Sequence, residues 1–105
     1  MQLTSYLQDG MLTIVLTGEI DHHCAKHYIQ TITAKIEAYT PQICILDFRE
    51  VSFMDSSGIA VVINALRNMA KIEGRLELTD LQPQPMKVFR ASGVDKLVTM
   101  KEEVK

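Results

Sequence analysis

Two consecutive serines preceded by an aspartate, Asp55-Ser56-Ser57-Gly58, stand where an apolar strand hands over through residues 47–54 to an amphipathic helix. Backbone N–H groups in the first turn of a helix lack intrahelical acceptors, so an oxygen of Ser56 or Ser57 can satisfy one of them as a cap. The same position suits a phosphate. The helix dipole and the free N–H groups favour an anion there, so a phosphorylated serine would leave the fold standing and act at the surface through its charge. Capping is the plainer expectation, because Ser and Asp are common at helix starts for structural reasons. Two features favour a modifiable hydroxyl: Asp-Ser-Ser supplies more capping groups than one helix needs, and Gly58 is expected to leave the turn sterically open to another protein's active site.

Other side chains suggest other chemistries, and each is weaker. His22, His23 and His27 with Cys24 could hold a metal, since His23 and His27 are one helical turn apart, but no third ligand follows at zinc spacing. A nucleophilic enzyme would use Ser56 with a histidine base and Asp21 or Asp55 to orient it, yet the chain lacks the G-x-S-x-G elbow that exposes such a serine. No glycine-rich phosphate loop of either common spacing is present, so an intrinsic kinase or ATPase is not expected. Cys44, inside Ile43-Cys44-Ile45-Leu46, reads as a buried apolar thiol. Met69, Met86 and Met100 read as gap-fillers, whereas Met54 could either pack inside or form an apolar rim beside the serine turn.

These residues must be positioned by the elements around them. Asp9-Gly10 between two β-type runs, residues 3–7 and 11–16, predicts an antiparallel hairpin. Asp21 can cap a helix over residues 22–38, with Ala25, Tyr28, Ile29, Ile32 and Ile36 at helical spacing. After the break at Pro41, the unalternating run 43–46 predicts a central strand covered on both faces. The helix after the serine turn is expected to bury Ile59, Val62, Ile63, Leu66 and Met69 or Ala70. Residues 75–79 form a further strand. Pro83 opens a short helix that Gly93 ends, and Leu97, Val98 and Met100 supply a last strand before a charged, frayed tail, residues 101–105. The order β-β-α-β-α-β-α-β implies a small α/β domain with a mixed sheet, parallel except for the hairpin.

A chain of 105 residues fits one domain, residues 1–105, large enough for a core without disulfides. Net charge of −2 and the absence of a Lys/Arg cluster argue against nucleic-acid binding. No apolar run is long enough to span a membrane, and the start resembles no secretory signal, so cytoplasmic residence without membrane association is the expectation.

Phe53-Met54-Asp55-Ser56-Ser57-Gly58-Ile59, together with Leu16-Thr17-Gly18-Glu19-Ile20-Asp21-His22-His23, resembles the bacterial anti-sigma factor antagonists of the STAS domain family, and closely their sporulation-type members. The segment around Phe89-Arg90-Ala91-Ser92-Gly93-Val94 extends the resemblance almost end to end. It implies a STAS fold and a non-enzymatic, cofactor-free binding protein. Unphosphorylated, such a protein binds an anti-sigma factor that is also a serine kinase and so frees the sigma factor; the kinase phosphorylates it with ATP and a serine phosphatase reverses the mark. Carried over by position, Ser56 is the phosphoacceptor and Ser57 the second choice. Asp21, Asp55, Gly58, Met54 and, less directly, Glu19 fall on the partner-binding face. Ala60 departs from the pattern, where glycine is frequent; alanine favours the helix but could alter the fit to a partner. The alternative is a STAS interaction module in another complex, a signalling scaffold or a lipid-transport component, because fold alone does not fix function.

Overall fold

The computed structural model describes residues 2–101. Strands β1 (Gln2–Gln8) and β2 (Met11–Thr17) form the expected hairpin, in unbroken antiparallel register from Gln2 opposite Thr17 to Gln8 opposite Met11. Asp9 and Gly10 make its two-residue turn, both with positive φ (53° and 79°), the geometry whose twist matches that of paired strands. Then follow α1 (Ala25–Tyr39), β3 (Ile43–Glu50), α2 (Ser57–Lys71), β4 (Arg75–Thr79), α3 (Pro83–Ser92), a 3-10 turn (Val94–Lys96) and β5 (Thr99–Lys101). The sheet order is β1-β2-β3-β4-β5, antiparallel at the hairpin and parallel at the other three pairings. This is the mixed α/β sheet that the alternation of periods implied.

The helices cover one face of the sheet. Leu12, Ile14 and Leu16 of β2, Cys44, Leu46 and Phe48 of β3, and Leu76 and Leu78 of β4 are all buried on that face. From the helices, Tyr28, Ile32 and Ile36 of α1, Val61, Ala65 and Met69 of α2, and Phe89 of α3 meet them. Burying side chains of this size contributes roughly 1.5–3 kcal/mol each before conformational entropy is subtracted. Phe89 packs edge-on against Phe48, with ring centres 5.6 Å apart at 87°, the favoured aromatic geometry. Thr33, Asn64 and Asn68 share hydrogen bonds of 3.0–3.1 Å between α1 and α2.

Several boundaries and faces differ from expectation. The strand centred on residues 43–46 is central but not covered on both sides: burial alternates along it, with Ile43 and Ile45 only half-buried on the open face. On that face Ile45 is flanked by Thr13 of β2 and Glu77 of β4 rather than covered by a helix. There Glu77, 5% exposed, accepts from Arg75 Nε at 3.1 Å and pairs with Lys101 Nζ at 3.4 Å. The buried stripe of α2 is rotated to Gly58, Val61, Val62, Ala65 and Met69, leaving Ile59, Ile63 and Leu66 half-buried and Ala70 exposed. Glycine at 58 lets the first turn press close to the core, which turns the stripe. The last strand starts at Thr99, after an exposed Leu97, because residues 94–96 are held in the 3-10 turn. Lys101, expected in a frayed tail, is part of β5, and the rest of that tail lies outside the described residues.

Candidate functional site

Two loops meet at the C-terminal ends of β2 and β3. Beyond β2 the chain runs through Gly18, Glu19 and Ile20 to Asp21, and beyond β3 through residues 51–54 to Asp55. An isolated parallel bridge joins them at Ile20 and Met54: Ile20 N–H donates to the Phe53 carbonyl and Asp55 N–H to the Ile20 carbonyl, both at 3.0 Å. Ile20 and Met54 are fully buried and anchor the pair of loops to the core.

Backbone polarity alternates along an extended segment, so the N–H and C=O of Met54 point away from Ile20. They are taken by a single side chain. Met54 N–H donates to Gln84 Oε1 at 2.8 Å, and Gln84 Nε2 donates to the Met54 carbonyl at 2.9 Å. The amide of Gln84 thus stands in for a neighbouring strand. Pro83 and Pro85 flank it in the first turn of α3, where their fixed φ suits the helix and stiffens the base from which the amide reaches. A second tie runs alongside: Gln82 Nε2 donates to the Arg49 carbonyl at 2.7 Å, and Arg49 pairs with Asp80 at 3.1 Å.

At the mouth of α2 the capping role falls on Asp55. Its Oδ1 accepts from Ser57 N–H at 2.8 Å, and the Asp55 carbonyl accepts from Gly58 N–H at 3.0 Å. Ser56, at the N-cap position, makes no side-chain cap bond and is exposed. The expectation that a serine oxygen caps this helix is therefore corrected: Asp55 reaches the orphan amide first, and the Ser56 hydroxyl has no hydrogen bond among the described residues. Ser57 is half-buried. The bond from Ser57 N–H, with lesser help from His22, holds the Asp55 carboxyl below the usual carboxylate range.

Asp21 plays the matching part at α1. Its Oδ1 accepts from His23 N–H at 2.9 Å and Cys24 N–H at 3.2 Å, closing a turn over residues 22–24 before the regular helix starts at Ala25. Its carboxyl is held low chiefly by the Cys24 thiol, which donates to it at 3.4 Å. His22 and His23 are exposed with ring centres 4.0 Å apart, and His22 Nδ1 lies 4.0 Å from Asp55 Oδ2. The structure thus brings Asp21, Asp55, Ser56 and Ser57 to one rim, with exposed Glu19 on the adjoining loop. Among the described residues no three His, Cys, Asp or Glu side chains converge as a metal cage would require.

Two expectations at this rim are corrected. Met54 is fully buried, so it forms no apolar surface; the exposed apolar side chain beside the serines is Phe53, 42% accessible. Gly58 is buried rather than open. A Cβ built there would come within 2.5 Å of Met54 Sδ and 2.9 Å of Met54 Cε, so this glycine admits Met54, not an outside enzyme. Gln84 was not foreseen at all. Its contact spans thirty positions, and a lone glutamine between prolines gives no periodic signal. Cys44 is buried as expected, and burial pushes its thiol up to about 12.

A STAS domain family model matches residues 2–105. An anti-sigma F factor antagonist of Lysinibacillus sphaericus is 36% identical over 83 residues, covering 79% of this chain and 71% of its own. The anti-sigma factor antagonist SpoIIAA in its unphosphorylated form superposes with a TM-score of 0.84 at 28% identity, covering 99% of this chain and 90% of its own. The Bacillus cell fate determinant SpoIIAA in the phosphorylated form gives 0.76 at 28% identity, with coverages of 99% and 93%.

Proposed function

Because the chain belongs to the STAS domain family, we propose that it is an anti-sigma factor antagonist switched by phosphorylation of Ser56. Unphosphorylated, it binds an anti-sigma factor with serine kinase activity and releases the sigma factor; phosphorylated, it lets go until a serine phosphatase restores it. The observation that carries the reading is the division of labour at α2. Asp55 holds the helix start, so the exposed Ser56 hydroxyl is not needed by the fold and is free to accept a phosphoryl group.

The chemistry required of this chain is small. In transfer from ATP, the Ser56 oxygen bonds to the γ-phosphorus, the bond to the β–γ bridging oxygen breaks, ADP leaves, and the hydroxyl proton passes to a base on the kinase. This chain supplies presentation. The Ile20 bridge and the Gln84 amide grip the peptide from both sides two residues before the acceptor, which lowers the entropy of placing Ser56 in a partner's active site. A phosphate there carries nearly two negative charges beside Asp55 and Asp21, and it would repel acidic groups and prevent close apposition on Phe53. That contrast in charge and contact is the switch, and it needs no refolding. Such a cycle acts where sigma factors meet polymerase, in the cytoplasm.

The test is binding of the purified anti-sigma factor kinase from the same organism by calorimetry, with sigma release followed in parallel. Unphosphorylated protein and Ser56→Ala should bind and release sigma, and the phosphorylated protein should not. Equal binding by both forms would sink the proposal. ATP-independent incorporation into some other stable complex would favour the interaction-module alternative.

A further inference from the structure

The two edges of the sheet are unlike. Among the described residues the β5 edge, Thr99–Lys101, carries a lysine, whereas β1 spans seven residues, Gln2-Leu3-Thr4-Ser5-Tyr6-Leu7-Gln8, with no charge, proline, glycine or bulge. Edge strands of soluble proteins are ordinarily blunted by such features, because an unpaired row of N–H and C=O groups is a template for another strand. β1 has none of them, and it exposes large apolar side chains on both faces. Tyr6, 59% accessible, lies on the open face opposite Thr13, and Leu7, 47% accessible, lies on the helix face opposite Leu12.

The turn fixes which groups are unpaired. A two-residue turn makes Gln8 and Met11 a hydrogen-bonded pair, and alternation then directs the N–H and C=O of Leu3, Ser5 and Leu7 away from β2. We propose that this edge pairs antiparallel with β1 of a second copy of the chain, about a two-fold axis at Ser5. The two copies then share a ten-stranded sheet, five strands from each.

The strand's own sequence selects this occupant. With Ser5 facing the partner's Ser5, the outward groups of Leu3 and Leu7 meet those of the partner's Leu7 and Leu3. Leucine therefore lies against leucine on the helix face. On the other face Tyr6 stands opposite the partner's Thr4, with the partner's Tyr6 on the diagonal, within reach of an aromatic ring. No charge opposes a like charge anywhere along the pairing, although the chain as a whole carries −2. The pairing is isologous, so joining the two β1 edges uses up both of them, and assembly through this edge closes at two rather than growing into fibres. β1 is two strands away from β3, which leads to the serine loop, so each copy keeps its Ser56 rim open and the pair offers two.

The test is sedimentation equilibrium of the full chain over a concentration series, with hydrogen exchange by NMR. The mass should rise from 11.8 kDa to twice that, and the Leu3, Ser5 and Leu7 amides should gain protection in step with it. Ser5→Pro, which deletes the central outward donor at an edge that tolerates proline, and Leu7→Lys should each return the mass to 11.8 kDa while circular dichroism shows the fold retained. A monomer at every concentration up to about 1 mM, or a dimer that survives both substitutions, would overturn the pairing. So would protection of these amides that appears only when a purified anti-sigma kinase is added, since the edge would then belong to that partner. None of these outcomes depends on whether Ser56 is phosphorylated.

Discussion

Replacing Gln84 with alanine removes both hydrogen bonds to Met54, the bonds its side-chain amide makes among the described residues. Each such bond contributes about 0.5–1.5 kcal/mol net, and leaving the partner groups of a buried residue unsatisfied adds to the loss, so the substitution should cost about 1–3 kcal/mol. For a domain of this size that is a fall in melting temperature of roughly 4 °C per kcal/mol. Gln84→Glu separates the two bonds, because a carboxylate still accepts from Met54 N–H but repels the Met54 carbonyl. It should therefore be no better than alanine despite its shape. Hydrogen exchange supplies the local readout: the Met54 amide should exchange at least tenfold faster in Gln84→Ala, while amides in the β1–β2 hairpin slow or quicken only with global stability. With the kinase, the loosened loop should raise KM for phosphorylation more than it lowers kcat. A Gln84→Ala protein that melts within 0.5 kcal/mol of wild type and protects the Met54 amide equally well would refute the idea that this side chain serves as a strand.

Other consequences are open to simple measurement. Ser56→Ala should alter stability by less than about 0.5 kcal/mol, well under the usual cost of losing a cap, whereas Asp55→Ala should lower the melting temperature clearly; the reverse order would return capping to Ser56. Gly58→Ala should destabilise by about 1–3 kcal/mol through its clash with Met54, and a double-mutant cycle with Met54→Ala should show the two losses to be less than additive. Tyr28, whose hydroxyl donates to the Thr17 carbonyl at 2.7 Å, is pushed up from 10.0 to about 12 by burial. Since folding favours its neutral form, that contribution is complete below pH 10 and fades as pH rises toward 12. Tyr28→Phe should cost about 1 kcal/mol at neutral pH and flatten the alkaline fall in stability between those values, as chemical denaturation at each pH would show.

How much of this was legible in the sequence depended on the range of the interaction. The hairpin, its Asp9-Gly10 turn, and the Pro83 start and Gly93 end of α3 are local chemistry, and each stands where its residues indicated; Asp21 instead closes the turn over residues 22–24, and Cys24 takes the N-cap of α1, whose helix starts at Ala25 rather than residue 22. The motif resemblance brought Asp21 and Ser56 to a common rim, because it carries tertiary information that periodicity lacks. What periodicity could not supply was decided by packing. Four consecutive apolar residues in β3, 43–46, look buried on both faces until the sheet is seen to carry helices on one side only. The stripe of α2 turned because Gly58 and Met54 interlock. Asp55 and Ser56 are equally good caps on paper, and only the geometry of the turn assigns the bond to Asp55. Gln84 reaches Met54 from another helix, a contact no local pattern announces.

The central claim is that Ser56 is the switch residue, and intact-mass and peptide mass spectrometry test it most directly. The protein, Ser56→Ala and Ser57→Ala would each be incubated with ATP and lysate from the native host, alongside a control substrate that reports active kinases. A single phosphate on the wild type and on Ser57→Ala, absent from Ser56→Ala, is the predicted result. A phosphate that persists in Ser56→Ala, or none on any form while the control is phosphorylated, would contradict it.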